Sequence, residues 1–327
     1  MNKKDYTLTH FITKPFFLGL TYSYVTQHAK TDALFACLLG MFIGTLIIIL
    51  FNKTNVTKKG SKIVQIILYL FFILTSIMLL EIIITSFYLI NTPKLISIIP
   101  TILLCFYAST KKIDTIKNTS FILYIFAIII SILTLISLTK NFQFNNLMPF
   151  FVSKKTSFLK ATLTFTILSS APNLLVMNEN IPLKKHVLYY IINTLYTTLF
   201  CLFIIGCLSI YVANIYSFPE FMILKRIKML EFIENVENIV TMVWYLDNFF
   251  NITLSIKRTE EIINNKAISW SLVIATTLFT SFIINSHYNH IMFIYHYAAL
   301  IMGILITILL LSTQKNFKSN AKYIKSS

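Results

Sequence analysis

Asp247 stands inside the apolar run MVWYLDNFFNITL, where a carboxylate must be met by something other than lipid. Placing Asp at mid-bilayer costs about 2.5 to 3.5 kcal/mol on insertion scales, so its helix must turn that side toward protein or a water-filled cavity. On a 3.6-residue helix Glu237, Thr241, Trp244, Asn248 and Asn251 fall near one face, with Asp247 and Tyr245 beside it. This stripe predicts a lining helix. Glu81, in LLEIIITSFY, is a second intramembrane carboxylate, with Thr85 and Tyr88 on nearly the same face. It reads either as a side chain snorkelling to the outer interface or as part of a central cavity. Glu234 and Glu237 stand at a helix start, where the backbone dipole favours anions, and helix stabilisation is the simpler account. His296, between Tyr295 and Tyr297, reads as a hydrogen-bonded core histidine ahead of a proton relay. His287 and His290 have no third ligand nearby in sequence, so no metal site is expected. No Ser/His/Asp order, phosphate-binding Gly loop or paired catalytic carboxylates occur, so neither an enzyme nor a cofactor is expected.

These residues sit in a chain of 327 residues that is 56% hydrophobic, 12% charged and of mean hydropathy +0.75. That is the composition of an integral membrane protein, with the lipid bilayer as its solvent. A net charge of +16 would suggest nucleic acid in a soluble protein. Here Lys and Arg fall in short loops between apolar runs, which the positive-inside rule explains without a nucleic acid partner. Cys37, Cys105, Cys201 and Cys207 all lie in apolar runs and read as small core residues. Lys14 and Pro15 interrupt the first apolar stretch and no small-residue cleavage site follows, which argues against a cleavable signal peptide.

Stretches long enough to span a bilayer fall near 10–29, 33–51, 63–90, 94–110, 121–139, 158–177, 187–213, 236–256, 267–286 and 290–312. They predict one transmembrane domain of about ten helices over residues 1–327. If the N-terminus is cytoplasmic, 19 of the 28 Lys and Arg fall inside, Lys14 among them, and both termini are cytoplasmic. Residues 218–235 carry Ile223, Ile227, Leu230 and Ile233 at helical spacing with Lys225, Arg226 and Lys228 elsewhere, and are expected to form an external amphipathic helix. Five helices per half would make the halves opposite in orientation, as an inverted repeat of 10–139 and 158–312 requires. In such folds the first helix of each half is broken to make the binding site. The corresponding places here are Gly19-Leu20-Thr21-Tyr22-Ser23 and Ser169-Ser170-Ala171-Pro172-Asn173, the second containing a proline that removes a backbone donor.

The run FPEFMILKRIKMLEFIENVENIVTMVWYLDNFFNITL resembles the corresponding region of the GerAB-type spore germination permeases, with Phe232, Ile233, Glu234, Val236, Glu237, Trp244, Ile252 and Thr253 matching or nearly matching. Ala29-Lys30-Thr31-Asp32-Ala33, Asn91-Thr92-Pro93 and Asn146-Leu147-Met148-Pro149 are similar to further steps of that family, in the same order. The resemblance implies an all-α, LeuT-like fold of ten helices as a 5+5 inverted repeat, within the amino acid, polyamine and organocation transporter superfamily. It implies a germinant-receptor subunit in the cell membrane, the inner spore membrane in a sporulating organism. Such a subunit would bind a nutrient such as an amino acid and pass the signal to other receptor subunits. A proton- or sodium-coupled transporter of an amino acid or amine is the second reading. The ligand-binding residues expected on these grounds are Gly19, Thr21, Tyr22, Ser23, Glu81, Thr85, Ser169, Ser170, Asn173, Thr241, Tyr245 and Asp247. Asp247 stands where the family usually has a small residue and Asn251 where it usually has Lys, so the local charge moves toward negative, which suits a cation.

Overall fold

A computed structural model of the chain describes residues 3–52, 59–88, 94–177, 181–225, 236–285 and 297–312. All regular structure among them is helical: α1 (Lys3–Thr13), a π-turn (Phe17–Thr21), α2 (Tyr22–Ala29), α3 (Ala33–Asn52), α4 (Lys59–Phe87), α5 (Lys94–Ser109) and α6 (Ile113–Thr139). There follow α7 (Lys155–Ser170), a 3₁₀ segment (Ala171–Val176), α8 (Leu183–Ile215), α9 (Pro219–Lys225), α10 (Val236–Ile263) and α11 (Lys266–Asn285). The last is α12 (Tyr297–Ser312). Six described stretches are long and apolar enough to cross a membrane: Tyr22–Phe51, Gly60–Thr85, Ile113–Thr139, Leu183–Ile215, Glu237–Ile263 and Lys266–Ile283. Ile98–Ser109 and Tyr297–Ser312 are shorter apolar helices.

The stretch expected at 10–29 is divided, and Pro15 accounts for it. A proline disfavours helical geometry at the residue before it, so α1 stops at Thr13. Helical bonding resumes only in the widened turn, where the Thr21 N–H reaches back to the Phe16 carbonyl at 3.1 Å. The break therefore covers residues 14–21 and lies earlier than Gly19–Ser23; Ser23 is already inside α2. At the second place α7 ends at Ser170 and the chain tightens into the 3₁₀ segment without unwinding, since the Ala171 N–H still bonds the Ile167 carbonyl. In a 3₁₀ turn the Ser169 carbonyl would receive the N–H of residue 172, which proline lacks. Asn173 Nδ2 donates to it instead at 2.8 Å.

The surface is apolar, as lipid solvation demands, and many hydroxyl side chains are buried where protein groups can satisfy them. Phe42, Ile122 and Phe282 are 62%, 68% and 71% exposed, while Thr75, Ser76, Thr194 and Asn193 are fully buried. Glycines let α3 approach two neighbours closely. A Cβ on Gly40 would meet the Thr162 carbonyl of α7 at 3.0 Å, and one on Gly44 would overlap the Tyr190 hydroxyl of α8 at 1.9 Å. That hydroxyl in turn is 2.7 Å from Ser169 Oγ, so a serine expected at the ligand site here ties α7 to α8.

Of the amphipathic helix expected over 218–235, only α9 lies within the described residues. Pro219, Glu220, Phe221, Ile223 and Leu224 are buried, so α9 packs against the bundle. Its apolar residues meet α8 and α10. Two stretches that carry the family resemblance touch: Thr31 Oγ1 donates to the Pro149 carbonyl at 2.6 Å. Beside it, Asp32 accepts from the Phe151 N–H at 2.5 Å and from the Ser153 N–H and hydroxyl at 2.9 and 2.7 Å, clamping the α2–α3 corner to the segment before α7. Asn146 Nδ2 and the Gln143 N–H both donate to the Gly206 carbonyl, at 2.8 and 3.1 Å, three residues before α8 leaves helical geometry at Ser209.

Candidate solute-binding site

The break after α1 opens onto a cavity between α2, α6, α8 and α10. Lys14 and Phe17 come from the break, Tyr22 from α2, Ser131 and Thr134 from α6, and Tyr196, Thr197 and Phe200 from α8. From α10 come Val240, Val243, Trp244 and Asp247. Its volume of about 20 Å³ has room for one water-sized group, since a water needs on the order of 10–15 Å³. A bound amino acid would require the walls to part.

The cavity is built around a buried ion pair. Lys14 Nζ lies 3.7 Å from Asp247 Oδ1, and the two residues are only 7% and 1% exposed. Lys14 was expected among the cytoplasmic loop charges; it lies inside the bundle instead, because Pro15 ends α1 at the depth where α10 presents Asp247. On the other side Lys14 Nζ is 2.7 Å from His10 Nε2, one turn back on α1. His10 Nδ1 is 2.8 Å from Asn193 Oδ1 of α8. An amide oxygen only accepts, so His10 Nδ1 carries the proton and Nε2 accepts from the Lys14 ammonium. The Lys14 ammonium also sits 5.3 Å from the centroid of the Tyr196 ring. Asp247 Oδ1 accepts no hydrogen bond at all. Among the described residues its charge is offset by Lys14 alone.

Of the residues expected at the site, the cavity brings together Tyr22 and Asp247. Tyr22 donates its hydroxyl to the Thr197 carbonyl at 3.2 Å, fixing one wall. Thr21 caps the break from within, its hydroxyl donating to the Phe16 carbonyl at 2.8 Å, so that carbonyl is already engaged. Gly19 lies in the same π-turn. Ser23, fully buried, accepts from Gln27 Nε2 at 3.3 Å. Ser170 donates to the Thr166 carbonyl at 2.6 Å within its own helix. Asn173 reaches toward the first break, with Thr13 Oγ1 3.4 Å from its Oδ1, so the two breaks are neighbours. Glu81 is buried in α4 with Thr85 Oγ1 at 3.3 Å from its carboxylate, outside the cavity wall. Thr241 donates to the Glu237 carbonyl at 2.6 Å, and Tyr245 hydrogen-bonds to Thr101 of α5.

The polar stripe of α10 is therefore divided among neighbours. Asn251 Nδ2 donates to Ser76 Oγ of α4 at 2.7 Å, whereas the cavity takes Val240, Val243, Trp244 and Asp247, a face at i, i+3, i+4 and i+7. Sequence reasoning missed His10, Lys14, Asn193 and Tyr196. The available signal was His10 and Lys14 spaced i, i+4 in an apolar stretch with no acid of its own, opposite an Asp in another such stretch with no base. Among the described residues no group of three or more His, Cys, Asp or Glu comes together as metal ligands; His287, His290, His296 and Glu234 lie outside them.

A family model described as a spore germination protein, of spore permease type, matches residues 16–320. The chain belongs to this family. Such a span covers most of the chain, and with the long apolar helices it makes this spore permease a multi-pass membrane protein. His10 and Lys14 stand before the matched residues, whereas Asp247 lies within them. No curated protein matches the chain.

Proposed function

We propose that this spore permease is the membrane subunit of a germinant receptor and binds a small nutrient such as an amino acid beside the Lys14–Asp247 pair. The observation that carries the reading is a buried lysine and a buried aspartate 3.7 Å apart on one small cavity, with Asp247 Oδ1 unbonded. A zwitterion presents the complementary pair: its carboxylate suits Lys14 and its ammonium suits Asp247. In this reading the helices form a ten-helix 5+5 inverted repeat, with the breaks at 14–21 and 171–176 as the first interruptions of its halves. Gly19, Thr21, Ser169, Ser170 and Asn173 then hold the breaks in shape, and Tyr22 and Asp247 face the solute. Glu81, Thr85, Thr241 and Tyr245 support the surrounding helices. Partner receptor subunits would read the opening of the walls that a solute must cause.

The test is to purify the full chain and titrate a panel of amino acids and amines by thermal shift, with Asp247→Asn and Lys14→Met alongside. Saturable shifts in the wild type that both variants lose are expected. Equal shifts in all three proteins would remove the cavity from the function.

A secondary transporter is the second reading, favoured by the continuity of His10, Lys14 and Asp247, which are titratable groups in contact across three elements. Uptake of a labelled solute into proteoliposomes, rising with time past stoichiometric binding, would decide for transport.

A further inference from the structure

We propose that the segment between α6 and α7 is a docking surface for a partner protein whose contact face is an apolar groove edged with Asp and Glu. The inference rests on the reading of the chain as one subunit among partners and draws nothing from the solute cavity. Within nine consecutive residues the segment turns Phe144, Met148, Phe151 and Val152 outward, with Phe144 and Phe151 78% and 84% exposed. Phe35 of α3 adds to the patch, stacking on Phe151 at 5.6 Å and meeting Phe150 edge-on at 5.7 Å. These side chains stand on irregular backbone, which is not found facing hydrocarbon. The patch therefore lies beyond the lipid tails, where a group of exposed apolar side chains marks an interaction site.

The segment is held in one shape from both ends. Its first part is tied to the Gly206 carbonyl of α8, and Phe142 fills the space beneath, its ring 5.4 Å from Phe203 and 5.0 Å from Phe144. Its last part is tied to the α2–α3 corner by Thr31 and Asp32. In and beside these ties three residues other than glycine have left-handed φ: Lys30 at 54°, Phe151 at 61° and Ser209 at 61°. Such backbone is costly for a residue with a side chain and persists only where surrounding bonds impose it. At Phe151 that bond runs from its N–H to Asp32, and the outcome is a bulky ring fixed in an exposed position. A headgroup layer takes up Phe and Lys in any arrangement and gains nothing from a fixed one. A protein partner does gain, because side chains already in place need not be ordered on binding.

Charge gives the partner's chemistry. Lys30, Lys140, Lys154 and Lys155 are exposed at the margins of the patch, and no Asp or Glu occurs in the chain between Asp114 and Glu179. The carboxylate that does touch the segment, Asp32, is buried and spent on the three bonds of the clamp. A second copy of the chain would set lysine against lysine, which like-charge repulsion opposes. A surface with carboxylates around an apolar groove meets both features. The rings fill the groove and the lysines pair at its edge, where such pairs steer association and select the partner.

The experiment uses the full chain in membranes of its own organism, with the photo-crosslinker benzoylphenylalanine in place of Phe144, Phe151 or Val152. Exposed Ile122 and Phe282, on the long apolar helices, are replaced in the same way as controls. The expected result is a crosslink from the loop positions to one other protein, mapped by mass spectrometry to a site flanked by Asp or Glu. Lys154→Glu with Lys155→Glu should lose that crosslink while leaving the thermal melt unchanged, and reversing the mapped carboxylates to lysine should restore it. Asp32→Ala, which frees the segment, should lose it too. Crosslinks from the loop to lipid alone or to a second copy, or crosslinks indifferent to the lysine reversals, would overturn the docking surface. Should the controls reach another protein and the loop positions none, the surface falls and the subunit reading stands. Silence toward protein at every position would overturn both.

Discussion

Lys14 and Asp247 are each tolerable inside the bundle only because of the other. Removing one partner leaves an uncompensated buried charge, which costs on the order of 3–5 kcal/mol, whereas replacing both with apolar residues of similar volume is often neutral. Asp247→Leu and Lys14→Met singly should therefore lower stability by about that amount, and the double variant should recover most of it. Denaturant unfolding of the purified proteins checks this; additive losses would show that the two charges are not coupled. The pair also changes what the sequence implies about the ligand. Asp247 alone argues for a cation, but with Lys14 beside it the site is neutral as a whole, which is the condition a zwitterion meets.

Two prolines make the breaks, and glycines set how closely the helices beside them pack. The Cβ of Gly44→Ala would lie 1.9 Å from the Tyr190 hydroxyl and 2.8 Å from its Cζ, so the ring must move and the bond to Ser169 is lost. Overpacking of this kind costs about 1–3 kcal/mol. Tyr190→Phe in the same background removes the worst overlap and should recover part of the loss in a thermal melt, a rescue that no change of surface chemistry would give. The Asp32 clamp acts between elements as well. Asp32→Ala removes a carboxylate that holds two backbone N–H groups and a hydroxyl, and hydrogen bonds to charged groups contribute roughly 1.5–3 kcal/mol each. The variant should make the segment before α7 the first site of proteolytic nicking, read by limited digestion and mass spectrometry.

At the scale of the molecule, the count of Lys and Arg by loop predicts an orientation with both termini cytoplasmic. Cysteines placed at Asn118 and Asn265 should react with an impermeant thiol reagent only from the cytoplasmic side, and one at Ser217 only from outside. Labelling of Ser217 from the cytoplasmic side would reverse the assignment or change the number of crossings between it and Asn265.

The sequence by itself determined that the chain is helical, lives in lipid and belongs with the spore permeases, because hydropathy, proline position and motif order are local properties that need no partner. Asp247 could be singled out for the same reason: a carboxylate in an apolar run is conspicuous alone. Its meaning could not be read there. Whether a buried charge is paired depends on what lies across the bundle, and the lysine that answers Asp247 is more than two hundred residues away in sequence, beside a proline that made it look like a loop residue. The same holds for α10, whose helical stripe was visible from spacing while its division among the break after α1, α4 and α5 was not. Periodicity fixes which side chains share a face. Only tertiary packing decides which neighbour that face meets, and therefore which atoms are left free to take a ligand.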